Sequence, residues 1–110
     1  MGRSAILLAI SITTLAHAQQ VGLEVTNEQI VQYKAKLGSG CVKDAVQSGL
    51  VVAQAQAFCG CMANQKNESM AYAEWQEAAY QSSKQAEKEE MKILVPHIRK
   101  AARACQPALK

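Results

Sequence analysis

Phe58-Cys59-Gly60-Cys61-Met62 holds two of the four cysteines of the chain, in a stretch whose apolar residues recur at helical spacing. Residues two apart on an α-helix point about 200° from each other, so Cys59 and Cys61 face different neighbours. Cys41 lies upstream and Cys105 far downstream. A centre that reaches both ways reads as a staple holding a helical chain together.

An even number of cysteines suits two structural disulfides in an oxidising compartment. A Cys59–Cys61 bond is disfavoured, because helical geometry makes the two side chains diverge. The segments before and after Gly49-Leu50 are expected to pack antiparallel. Cys41 and Cys59 then rise to similar heights, about 12 Å at 1.5 Å per residue. That match favours Cys41–Cys59 with Cys61–Cys105. The alternative, Cys41–Cys61 with Cys59–Cys105, differs by half a turn and stays open.

The compartment is read from the other end. Arg3, the apolar run Ala5 to Ile12 and the Ala16-His17-Ala18 box follow the order of a cleavable leader. Residues 1–18 are therefore expected to be a signal peptide, cut after Ala18, that sends the chain to a bacterial periplasm or outside the cell. The apolar run is shorter than the ~20 residues that span a bilayer, and no second one follows to anchor the protein.

Residues 19–110 are expected to form a single domain. Twelve Lys and Arg against nine Asp and Glu give a formal charge of +3, and Arg3 leaves with the leader. So mild a balance argues against nucleic acid and against an anionic membrane surface as partner. With one Phe, one Trp and three Tyr the core is thin, which is where cross-links help most.

Periodicity makes the whole domain all-α, a small bundle of four to five helices. Gln19 to Val25 reads as a loose arm. Thr26-Asn27-Glu28-Gln29 matches a capping box and should start a helix that carries Ile30, Tyr33 and Leu37 inward and ends at Gly38-Ser39-Gly40. A short second segment, Cys41 to Ser48, groups Cys41, Val42, Ala45 and Val46 before Gly49. Val52 to Asn64 follows with the stripe Val52, Ala55, Cys59, Met62, while Cys61 and Phe58 share its flank. Gln65 to Ser69 reads as a polar loop offering Asn67 or Ser69 as the next N-cap. Ala71 to Ser82 should bury Tyr72, Trp75 and Ala79, with Trp75 as the largest anchor. The last helix repeats Met91, Leu94, Val95, Ile98, Ala101, Ala102 and Cys105 on one face. Pro96, off that stripe, is expected to kink it, and Glu87, Glu89 and Glu90 suit its first turns.

No phosphate loop, metalloprotease box or nucleophile elbow occurs. His97, the one histidine after the leader, reads as a solvated side chain with no obvious Asp or Ser beside it. No catalytic residue, cofactor or metal site is assigned, and the expectation is a non-enzymatic protein that works by binding another protein. The surface expected to do so is the basic side of the last helix, Lys92, His97, Arg99, Lys100 and Arg103. No acid interrupts the sequence from Lys92 to Arg103, so an acidic partner would suit it. The polar Asn64 to Ser69 stretch is a second exposed region. A different class of function, thiol–disulfide or soft-metal handling, would use Cys59-Gly60-Cys61. For Cu(I), the thioethers of Met62, Met70 and Met91 and His97 are further ligands of the right softness. Cys59 and the Met62 and Met91 positions fall on apolar stripes, which favours packing instead.

Overall fold

The computed structural model describes residues 25–109; the leader, its cleavage site and the arm up to residue 24 lie outside them. Four helices follow one another: α1 (Asn27–Gln47), α2 (Val52–Ser69), α3 (Tyr72–Ser83) and α4 (Glu87–Cys105), closed by a 3₁₀ turn, Gln106–Leu109. There is no strand among the described residues.

The α1 start is the expected capping box. The Gln29 N–H donates to Thr26 Oγ1 at 3.1 Å, and the Thr26 N–H donates to Gln29 Oε1 at 2.8 Å. The expected stop at Gly38-Ser39-Gly40 does not occur, and α1 runs unbroken to Gln47, merging two expected segments. Glycine in a helix interior costs about 1 kcal/mol but does not end the helix unless the backbone turns left-handed. That turn comes at Gly49, with φ +108°. The Leu50 N–H reaches Ala45 O at 3.1 Å and the Gly49 N–H reaches Val46 O at 3.0 Å, a Schellman pair. A second such pair closes α3, where Ala86 N–H bonds Gln81 O at 2.9 Å and Gln85 N–H bonds Ser82 O at 3.0 Å. Here the left-handed residue is Gln85, at φ 59°.

α2 also outruns its expected end. Gln65 to Ser69 is helical rather than a loop, and the chain turns at Met70, whose ψ is 128°. Asn67 and Glu68 are exposed while Gln65, Lys66 and Ser69 are partly covered, as on the flank of a packed helix. Met70, 5% exposed, is pinned in the core and ends the helix by tertiary packing. The N-cap of α3 is accordingly Ala71, not Asn67 or Ser69. α4 passes through Pro96 as one helix.

α4 packs on α2 and α3, and α1 packs on α2 and more lightly on α3. One cluster gathers Val25, Ile30, Tyr33, Met70, Trp75, Ala78, Ala79 and Leu94. A second gathers Met62, Ala101 and Cys105, with Phe58 and Cys61 at its edge, and Ile98 touches both. Trp75, 4% exposed, is the expected anchor. The Tyr33 ring meets it edge-on at 6.3 Å, and Lys34 Nζ lies 4.6 Å from its centroid.

Four positions expected on apolar faces, Val46, Val52, Tyr72 and Met91, are outside. Val52 and Val51 are exposed with Val46 at the α1–α2 tip. Tyr72 faces out and donates its hydroxyl to Asn27 Oδ1, tying the starts of α3 and α1. Met91 is 37% exposed, and Ile93 packs against the core on that end of α4.

No Cα of α1 comes within 8 Å of one in α4. These two helices stand as walls on either side of α2. Their side chains meet across the gap where the Tyr33 hydroxyl donates to Glu90 Oε2. Burial, reinforced by that hydrogen bond and the Glu90 charge, pushes the Tyr33 phenol well above its ordinary pKa.

Candidate functional site

The four cysteines form Cys41–Cys59 and Cys61–Cys105, with Cα separations of 5.9 and 5.8 Å. Both lie within the ordinary disulfide range. The pairing follows from the heights of two antiparallel helices that turn at Gly49. It also follows from α2 geometry: Cys59, 4% exposed, points to α1, and Cys61, on the Phe58 flank, points to the end of α4. Cys105 is 1% exposed. No free cysteine remains among the described residues. The sulfur ligands weighed for a soft metal are dispersed: Met70 lies in the first core cluster, Met62 in the second, and Met91 outside.

Around this framework α4 presents its basic face. At 100° per residue, Lys92, Arg99, Lys100 and Arg103 fall within about a third of the helix circumference. All four are exposed. Lys92 Nζ sits 3.2 Å from Glu89 Oε1. Arg99, Lys100 and Arg103 form no ion pair with any described residue. They stand on the last two turns of α4, just before Cys105 is bonded to Cys61.

His97 leaves this face. It lies about 120° round the helix from Arg103 but only about 40° from buried Ala101 and 60° from buried Leu94, so it sits on the flank of the core. Its side chain is 16% exposed and is held from two sides. Nδ1 is 2.9 Å from Ser69 Oγ, and Nε2 is 2.8 Å from Glu74 Oε2. In the neutral imidazole that donates Nε2–H to Glu74, Nδ1 accepts the Ser69 hydroxyl proton. Glu74 is itself positioned by the α3 start, because its Oε1 accepts the Ala71 N–H at 2.9 Å. The Ala71 and His97 hydrogen bonds hold the Glu74 carboxyl below its ordinary pKa, with the His97 charge adding to them and partial burial opposing.

The order serine, histidine, acid is that of a proton relay in which the acid fixes the tautomer of the base. The same bonds join the end of α2, the start of α3 and the middle of α4. The solvated histidine expected from the sequence is thus a clasp between three helices. Reading Ala71 as the N-cap would have marked Glu74 as the capping-box acid, and the helical angle of His97 would have turned it away from the basic stripe. Nothing in the spacing of residues 69, 74 and 97 signals that they meet.

Comparison with family models, curated proteins and solved structures gave no match to this chain.

Proposed function

We propose that this chain is an exported, disulfide-stapled helical module that binds an acidic protein partner without catalysing a reaction, in the periplasm or outside the cell. Two long-range disulfides suit an oxidising compartment, in keeping with a leader cut after Ala18. No helix among the described residues is long and apolar enough to cross a membrane.

The observation that carries the binding reading is the uncompensated cationic face of Arg99, Lys100 and Arg103. Unlike Lys92 and His97, these three have no acid beside them in the fold. They sit on a helix fixed at its end by Cys61–Cys105, so docking costs order in the three long side chains but little in the backbone. Such a face accelerates encounter with an acidic surface and selects against basic ones. The alternative of thiol or soft-metal handling through Cys59-Gly60-Cys61 would first require reduction of two bonds leading to different helices.

The test reverses charge at Arg99 and Arg103. Mature protein immobilised as bait captures its partner from cell-envelope extract, and the association rate of the purified pair is then measured across a salt series. Arg99→Glu/Arg103→Glu should slow association and flatten its salt dependence while the circular dichroism spectrum stays helical. Equal rates for both proteins at low and high salt would exclude this face as the docking surface.

A further inference from the structure

The gap between α1 and α4 is a groove of about 550 Å³, within the size range of small-ligand sites. α2 forms its floor through Phe58, Met62 and Lys66, while Leu37 and Leu94 with Ile98 supply apolar walls. Tyr33 and Glu90, hydrogen-bonded to each other, stand at one end. Lys66 is the unusual member. It is only partly exposed, lines the groove with Phe58 and Met62 on the same helix, and has no ion pair with any described residue.

Burial lowers the Lys66 pKa below its ordinary value, and no carboxylate opposes that shift. Both acids lining the groove keep their charge, but neither is within ion-pair distance of Lys66. Glu90 receives the Tyr33 hydroxyl, and Asp44 is exposed towards the other end of α1. Lys36, also on the wall and exposed, adds a second cation without an ion pair among the described residues.

We infer that this groove binds a small amphipathic carboxylate, an acyl chain lying along Leu37, Phe58, Met62, Leu94 and Ile98 with its acid group on Lys66. The apolar lining favours the chain by removing its surface from water. The carboxylate supplies the charge partner that a half-buried ammonium lacks, in a setting where a charge-assisted hydrogen bond is strong. None of the groove residues belongs to the basic face of α4, so this site stands or falls separately from the protein-binding proposal.

Decanoate is the probe, titrated below its aggregation range into the intact disulfide-bonded protein by calorimetry. Methyl shifts of Met62, Leu94 and Ile98 locate it by NMR. Saturable one-to-one binding is expected, with shifts at those methyls. The neutral alcohol 1-decanol should bind the same wild-type protein roughly ten- to a hundredfold more weakly, the loss of one charge-assisted hydrogen bond. Lys66→Met should reduce decanoate affinity by a similar factor and bring the two ligands together. The wild-type comparison needs no variant, so it holds even if Lys66→Met folds poorly. Absence of saturable decanoate binding, equal affinity of wild type for acid and alcohol, or shifts confined to Arg99, Lys100 and Arg103 would overturn the assignment. A groove that instead receives a helix from another protein belongs to the first of these outcomes.

Discussion

Removing the Cys61–Cys105 bond by Cys61→Ala/Cys105→Ala releases the longest covalent loop of the fold, with its ends 44 residues apart. The entropy gained by an unfolded chain on losing such a loop corresponds to about 4 kcal/mol at 25 °C. The Cys41–Cys59 loop, with a separation of 18, corresponds to about 3 kcal/mol. A domain of this size is stable by only about 5–15 kcal/mol in total, so the longer bond accounts for a large share. Its loss also removes two sulfurs from the Met62, Ala101 and Cys105 cluster, which adds to the effect. Urea unfolding followed by circular dichroism should show a midpoint lowered accordingly. The slope should rise, because the unfolded chain without the link exposes more surface. Heating should show a transition lower by roughly 15–30 °C, at 4–8 °C per kcal/mol for a chain of this length. An unchanged midpoint, or a larger loss from Cys41→Ala/Cys59→Ala, would refute the argument from loop length.

Two smaller changes test the local readings. Because the Glu74 carboxyl is held below its ordinary pKa, its stabilisation is present above about pH 4.3 and is lost as pH falls through the lower folded value. Glu74→Gln should therefore flatten the fall in urea midpoint on the acid side of pH 4, and parallel curves for both proteins would show that neither the Ala71 nor the His97 hydrogen bond to this carboxylate contributes. Gln85→Gly relieves a left-handed residue that costs about 1–2 kcal/mol, partly offset by the freer unfolded chain, so stability should rise by about 0.5–1 kcal/mol. No gain would mean that Gln85 makes a compensating contact.

What could be read from the sequence was whatever depends on local spacing. The α4 stripe from Leu94 to Cys105, the Thr26 capping box, the Gly49 turn and the divergence of Cys59 and Cys61 follow from helical geometry alone, and all are present. The misreadings have more than one cause, some local to the chain and some set by contacts distant in sequence. Gly38 and Gly40 carry no stop of their own, and α1 continues through them to the turn at Gly49. Ser69 serves His97 instead of capping α3, through a pairing 28 residues apart. Val52 and Tyr72 fit the apolar period, but each sits at the first turn of its helix and lies exposed. The groove depends on α1 and α4 standing apart over α2, and no local pattern reports a distance between helices.

The most direct test of the central claim, that Cys59-Gly60-Cys61 is a structural staple in an exported chain, is non-reducing peptide mapping with intact mass on protein recovered from the periplasm. The expected result is a chain beginning at Gln19, with Cys41 linked to Cys59 and Cys61 to Cys105. Four free thiols, or an unprocessed chain beginning at Met1 and confined to the cytoplasm, would contradict it and bring thiol or soft-metal chemistry at Cys59 and Cys61 forward.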